Sequence, residues 1–445
     1  MKRRKISPYF ILIVGFAGLI LLGSLLLMLP FATHDNYKLT FIDALFTSTS
    51  AVCITGLLSV PTITGVFTLF GKIIIILLVE IGGLGFITIA TFIFSLLGVK
   101  IGFQDRFLIK ESLNQNSLKG MVRLVRFTVA VALVVQTIGA IINFLVFIAD
   151  YQFWDAFGMS IFHSVSAFNN AGFDLLPYGT SLYVYRNNVL LNFNISALII
   201  IGGIGSIVIH DIIKHKSWKK LSIHSKIVIK TSIALIIIGM LLFKLGEGSN
   251  ISWLQALFNS VSSRTAGYTT VAVSDLTNIS LLIMMVLMFI GASPASTGGG
   301  VKTTTFYTVM KSILSFGKGK KTITYNRQIA DNSIFKAFIL IVSGIIVIFT
   351  SSVFISLIEN YNPKVINDTN YLVKIIFEVF SAFGTVGNSM GITVNLHWLS
   401  KFILCLVMFF GRLGPITIIS LLNRHWTMDH EVSQVIYLEE KIIIG

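Results

Sequence analysis

The sequence predicts an all-α integral membrane protein of four same-direction repeats, with eight spanning helices and four half-helices around one central axis. Three observations carry that reading. Of 445 residues, 54% are hydrophobic and only 12% charged, whereas soluble chains carry about a quarter charged residues; mean hydropathy is +0.85. Apolar stretches long enough to span a bilayer, about 20 residues, lie near 8–30, 71–98, 127–149, 189–213, 227–246, 279–315, 334–358 and 399–422. Between them recurs one short polar and aromatic stub: "FTSTSAVCITG" (46–56), "FHSVSAFNNAG" (162–172), "FNSVSSRTAG" (258–267) and "FEVFSAFGTVG" (377–387).

Each stub begins with Phe, has Ser four residues later (Ser50, Ser166, Ser262, Ser381) and ends in Gly. The repeats divide as 1–98 around a stub segment at 41–60, 99–215 around 153–176, 216–320 around 252–271 and 321–424 around 371–391, with 425–445 as a tail. A second motif keeps the same register: each returning span carries a glycine cluster, "IGGLG" (81–85), "IGGIG" (201–205), "IGASP" (290–294) or "FGRLG" (410–414). The opening "MKRRKISPYF" runs into apolar residues without a small-residue cleavage site, so it reads as a first span and not as a signal peptide.

Ten residues are too few to cross a bilayer, and non-helical backbone survives at membrane depth only inside protein or against water. Four half-helices dipping in would therefore point their C-termini at one axis. Each terminus carries about half a negative charge, so together they favour a cation, and their extended returns would offer it carbonyl oxygens. Glycine permits the backbone angles of such a return.

The net charge of +15 reads as topology, without a nucleic-acid partner. Basic residues cluster in 2–5, 100–126, 214–230 and 311–336, at every second connection, which places those loops and both termini in the cytoplasm. Cys53 and Cys405 are far apart in apolar surroundings and suggest neither a disulfide nor a metal site. No glycine-rich phosphate loop occurs, so no nucleotide is expected on this chain.

The stretch "GASPASTGGGVKTTTF" places Pro294 and Gly291, Gly298, Gly299 and Gly300 inside the sixth span, just before Lys302. Proline costs about 3 kcal/mol and glycine about 1 kcal/mol in a helix interior, so an intramembrane loop is expected at 291–302. Arg412 is the one charge well inside the last span, and such a residue faces a cavity or a partner: either a barrier or an anchor for the loop. Glu80 reads as an intramembrane acid paired with a neighbouring repeat, and Asp43 as a first-turn acid at a helix N-terminus. His163 is expected as a packing residue, Arg264 as a bracket for the third stub's loop, and His210 and Asp211 as solvated cap residues.

At these motifs the chain resembles the membrane subunits of the Trk/Ktr/HKT potassium transporter superfamily, most closely the bacterial Ktr type, from about residue 8 to 440. The resemblance implies four helix–pore-loop–helix repeats around one pore. It makes Gly56, Gly172, Gly267 and Gly387 the filter glycines, flanked by Ile54-Thr55, Asn170-Ala171, Thr265-Ala266 and Thr385-Val386, with potassium held at their backbone. In this family a serine in the first repeat accompanies sodium permeation, so four glycines point to potassium. The resemblance also makes 291–302 and Arg412 gating elements. It implies a homodimer in the bacterial cell membrane, controlled by a separate cytoplasmic nucleotide-binding (RCK-type) ring, and leaves a sodium activator open.

Channel-like potassium uptake is thus the leading reading. A sodium- or proton-coupled secondary transporter would need paired ionisable groups at midplane and inverted repeats, against same-direction repeats here with only Glu80 and Arg412 deep. A membrane-embedded enzyme would need clustered Asp, Glu or His at a membrane face, and none is evident.

Overall fold

The computed structural model describes residues 8–99, 102, 106–107, 120–176, 181–362 and 370–414. The basic cluster 2–5 and the tail 425–445 lie outside the described residues, as does most of 100–119.

The helices fall into four successive groups. The first holds α1 (Pro8–Leu27), half-helix α2 (Phe41–Val52), α3 (Leu69–Leu84) and α4 (Phe86–Leu96). The second holds α5 (Met121–Phe147), half-helix α6 (Phe153–Phe168), α7 (Val189–Ile204) and α8 (Ser206–His215). The third holds α9 (Ile223–Glu247), half-helix α10 (Trp253–Ser262), α11 (Asn278–Phe289) and α12 (Thr303–Phe316). A small hairpin of β1 (Ile323–Thr324) and β2 (Arg327–Gln328) leads to the fourth: α13 (Asp331–Glu359), half-helix α14 (Tyr371–Gly384) and α15 (Trp398–Leu413).

Among the described residues, four helices are long and apolar enough to cross a membrane unaided: Tyr9–Leu27, Met121–Phe147, Ile223–Asn250 and Asp331–Glu359. These open the four groups. The returning helices differ from the expected continuous spans. α3 meets α4 at 93° and α7 meets α8 at 94°, so 71–98 and 189–213 are bent pairs. The bends sit at Gly85 (φ 85°, ψ 131°) and Gly205 (φ 94°, ψ 146°), a backbone region essentially reserved for glycine. Gly414 repeats the geometry (φ 80°, ψ 143°) and ends α15 at Leu413; the rest of the expected span, 415–422, lies outside the described residues. Only the third group breaks as foreseen, between Phe289 and Thr303. Pro294 there holds the motif position that Gly85, Gly205 and Gly414 hold elsewhere.

Serine two residues after each stub's Phe ties three half-helices to their opening spans. Ser48 Oγ donates to Ile20 O (2.7 Å), Ser164 Oγ to Gln136 O (2.6 Å) and Ser260 Oγ to Ile236 O (2.7 Å). Three residues beyond each of these carbonyls lies a glycine, Gly23, Gly139 or Gly239, where a Cβ would strike the same serine hydroxyl. The fourth stub has Val379 at this position, and Gly344 packs instead on the rings of Phe383 and Phe289.

The hydrophobic clusters lie mainly between groups. One joins the first to the fourth (Phe46, Phe67, Phe383, Met408), a second joins the second to the third (Phe147, Phe168, Phe258, Tyr268), and a third joins the third to the fourth (Phe243, Met288, Phe377). Carboxylates brace the outer turns. Asp43 accepts from Thr40 Oγ1 (2.6 Å) and pairs with Lys401 Nζ of α15 (2.9 Å), while Glu247 and Glu359 accept the backbone N–H of Thr277 and His397, the N-caps of α11 and α15 (2.8 Å each).

Gly205→Ala forces a Cβ into backbone space that costs about 1–3 kcal/mol and against the carbonyls of Pro294 and Ala295. We expect a lower melting temperature in detergent; an unchanged melting curve would remove the hinge assignment.

Candidate functional site

The four stub ends meet. A Cβ added at Gly56 would collide with Ala171 O, one at Gly172 with Ala266 O, one at Gly267 with Val386 O and one at Gly387 with Thr55 O. Each glycine thus touches the carbonyl of the residue preceding the next stub's glycine, and the fourth contact returns to the first. The contacts close a ring. All four glycines have positive φ (88°, 71°, 72° and 97°), so even without the collision an L side chain would be strained.

The turn into the ring is built alike each time. The carbonyls of Ser50, Ser166, Ser262 and Ser381 accept the N–H of Thr55 (2.7 Å), Ala171 (2.8 Å), Ala266 (2.8 Å) and Val386 (3.0 Å). Ile54, Asn170 and Thr385 take left-handed φ of 53°, 58° and 49°. Thr265 is not left-handed; its stub is one residue shorter.

Behind the ring lies a brace. The residue after the stub's Phe accepts the backbone N–H three residues past the glycine. His163 Nε2 takes it from Leu175 (3.5 Å), Asn259 Oδ1 from Thr270 (3.4 Å) and Glu378 Oε1 from Met390 (3.0 Å). His163 Nδ1 faces Met159 O at 2.8 Å, which assigns the proton to Nδ1. Glu378 also accepts from Ser389 Oγ (2.5 Å) and Thr393 Oγ1 (2.9 Å). In the first stub Thr47 stands at this place and its buried hydroxyl makes no such bond.

Directly against the ring's flanking residues lies the segment between α11 and α12. Gly291 N donates to Val301 O (2.9 Å) and Ala292 N to Gly299 O (3.3 Å), which folds it back on itself. Gly299 N donates to Thr385 Oγ1 (3.0 Å), and the Asn170 amide meets Thr297 Oγ1 (2.9 Å). Cβ atoms on Gly298 or Gly299 would strike the side chains of Thr265 or Thr385. Three of the flanking side chains thus hold or abut this segment. Further bonds run from Ser293 N to Gly203 O (3.1 Å), Thr297 N to Gly202 O (3.3 Å) and Gly300 N to Gly411 O (3.3 Å).

Arg412 occupies the place in its glycine cluster that Gly83 and Gly203 occupy in theirs. One guanidinium nitrogen donates to Thr297 O and the other to Gly82 O (2.6 Å) and Gly83 O (3.0 Å), so it links the segment to the first group. Lys302 Nζ donates to Gly298 O (2.6 Å). Thr297, Lys302 and Arg412 line a cavity of about 280 Å³ whose walls include residues of α1, α3, α4, α5, α7 and α8.

Other candidates resolve differently. Glu80 Oε2 accepts from Gln136 Nε2 (2.9 Å) and Asn169 Nδ2 (2.6 Å), both of the second group. Arg264 donates to Gly291 O (3.4 Å), so its partner is the 291–302 segment and not its own stub's return. Asp211 is no solvated cap: it clasps Ser222 N (2.9 Å), Ser225 Oγ (2.5 Å) and His215 Nδ1 (2.7 Å), joining α8 to α9. His210 stacks edge-on with Phe127. The serine ties and the brace went unread in the sequence, although "FTS", "FHS" and "FNS" displayed both positions.

The family model for cation transport proteins of the TrkH type matches residues 3–245 and 247–429. The chain belongs to this family. It is 37% identical to the potassium/sodium uptake protein NtpJ of Enterococcus hirae, over all of this chain and 98% of that protein. It is also 37% identical to the Ktr system potassium uptake protein B of Bacillus subtilis, over 94% of each. The crystal structure of the potassium transporter TrkH from Vibrio parahaemolyticus superposes with a TM-score of 0.73 over 96% of this chain and 87% of that one, at 19% identity. At that identity the likeness speaks for the fold alone.

The brace predicts an asymmetry. Glu378→Ala strands three donors at about 1 kcal/mol or more each and should lower the melting temperature by several degrees, whereas Thr47→Ala should change it little. Equal losses in thermal unfolding would dismiss the brace.

Proposed function

We propose that this chain takes up potassium through a channel-like pore along the axis of its four half-helices, from one repeat to the next in the boundaries 1–98, 99–215, 216–320 and 321–424. The observation that carries the reading is the closed ring of glycine–carbonyl contacts. It brings the carbonyl-bearing returns of Thr55, Ala171, Ala266 and Val386 and four helix C-termini to one place, the arrangement that replaces a cation's hydration shell. Ions move down their electrochemical gradient, aided by about 2.3 kcal/mol per charge per 100 mV. The coupled transporter is disfavoured because Glu80, the deep acid it would use, is taken up by two amides.

The 291–302 segment is the gate. It abuts the filter's flanking residues, and Arg412 holds it by the Thr297 carbonyl. The basic loops face the cytoplasm, where the nucleotide-binding ring acts on a homodimer of this chain; support for these partners is the family resemblance and the placement of charge.

Gly56→Ser places a side chain at φ 88° against Ala171 O. Discrimination of potassium over sodium in uptake assays on a potassium-uptake-deficient bacterium should fall by about tenfold, the equivalent of 1.4 kcal/mol; parental selectivity would count against the filter.

Arg412→Gln should speed flux at saturating potassium and hasten labelling of a cysteine replacing Ser296. Arg412→Lys keeps the charge but loses the planar fork. Anchoring predicts that it behaves like Gln, and wild-type flux and labelling in the Lys variant would point to a charge barrier instead.

A further inference from the structure

The ring, gate and braces leave one polar construction unused, where the first turns of α9 meet α12 and the β1–β2 hairpin. Lys230 of α9 and Lys311 of α12 line a pocket of about 200 Å³ together with Tyr307, Thr324 and Tyr325, and Lys226 lies one turn before Lys230 on α9, beside the same Tyr325 ring. Lys230 Nζ stands 5.1 Å from the Tyr325 ring and 5.8 Å from Trp218, and Lys226 Nζ 5.6 Å from Tyr325. Lys226 also donates to Lys219 O at 3.0 Å. None of the three lysines is ion-paired with a described residue. Two cations, with a third one turn away, thus border an aromatic-framed space that no acidic residue among the described ones lines.

The position of the pocket says which anion. The helix Ile223–Asn250 has 28 residues, about 42 Å at 1.5 Å per residue, against a hydrocarbon layer of about 30 Å. Its ends therefore protrude, which puts Lys226, in the first turn, at the headgroup boundary, and Lys230, one turn further in, reaches that layer through its long flexible stem. Trp218 (44%), Ile323 (51%) and Tyr325 (39%) are exposed, the amphipathic belt found where a protein meets the lipid interface. Past Lys311, the α12 residues Ile313, Leu314 and Phe316 are exposed as well, an apolar track beside the pocket. A soluble anion would use the lysines and leave this apolar rim unexplained.

We propose that this pocket binds the phosphate of an anionic phospholipid of the inner leaflet, with Lys230 and Lys311 on the phosphate, Lys226 at its side and the acyl chains along α12. The proposal rests on the basic-inside orientation given above. It ties a lipid to α12, the helix that continues directly from the gate segment, and so puts bilayer charge in mechanical contact with the gate.

The test is retention of lipid by the purified full-length chain in detergent, counted by native mass spectrometry with dioleoyl phosphatidylglycerol against its chain-matched phosphatidylcholine. The parent should prefer the anionic lipid by tenfold or more. Lys230→Gln/Lys311→Gln should lose about fivefold per lysine, approaching no preference, with an unchanged melting temperature in lipid-free detergent. Tyr325→Ala should lose part. Equal preference in parent and double variant overturns the proposal. So does displacement of the lipid by millimolar soluble glycerophosphoglycerol, which would mark a site for free phosphate. A double variant that keeps its lipid preference but loses a nucleotide-binding ring subunit would overturn it in favour of a protein-docking surface. No arm reads ion flux, so failure of the potassium reading would leave the lipid result standing; thiol labelling of Ser217→Cys in intact cells tests the orientation separately.

Discussion

The structure depends on a contact that tolerates no side chain. Four glycines each press on the carbonyl of the next stub, and the cycle closes only because none of the four has a Cβ. That closeness is costly in itself. It gathers four helix ends of like partial charge, each about half an electron. The surroundings must therefore push inward. Ser48, Ser164 and Ser260 clamp their half-helices to the opening spans, and glycines at 82, 202 and 411 let the returning helices lie against the last half-helix carbonyls, Val52 O, Phe168 O and Phe383 O. Individually such hydrogen bonds contribute about 1 kcal/mol; repeated around an axis they fix a geometry that no single repeat could hold.

The returning helices explain why irregular backbone survives here. In hydrocarbon an unpaired N–H or C=O costs several kcal/mol, and 290–302 runs non-helical between two apolar helices with its polar groups largely paired. Its polar groups are met by its own fold, by carbonyls of Gly202, Gly203 and Gly411, and by the hydroxyl of Thr385. The same bend occurs at Gly85, Gly205 and Gly414, where one residue suffices. In the third group Pro294 stands in the hinge position. With no N–H and with φ fixed near −65°, it cannot make the glycine bend, and a whole loop replaces one residue. The departure from fourfold symmetry falls where the proposed gate lies.

Arg412 shows how the same positions acquire different duties. It sits where two sister motifs have glycine, and its fork reaches the carbonyls of Gly82 and Gly83 together with Thr297 O. Three carbonyl dipoles offset the burial of one cation that has no acidic partner among them. The stub position after Phe varies likewise, as Thr47, His163, Asn259 and Glu378. Three of the four are acceptors that reach the N–H beyond the ring glycine, so chemistry differs while the geometry is kept.

Much of this was legible in the chain. Composition declared the membrane, the Phe–Ser–Gly spacing declared the repeat, and Pro294 among glycines declared the broken sixth span. Each is local: hydropathy, helix propensity and backbone freedom are properties of residues a few positions apart. The bends at Gly85 and Gly205 were not legible, because an apolar run containing glycine costs a helix only about 1 kcal/mol per glycine and packing decides whether it bends. Nor could the sequence show that Asn170 and Thr385 hold the 290–302 segment, that Glu80 belongs to Gln136 and Asn169, or that Arg412 reaches Gly82. Those partners lie 56 to 330 residues apart. The sequence by itself determined which elements form and how often; only the tertiary structure decided which carbonyl meets which glycine, because closing a ring requires all four repeats at once.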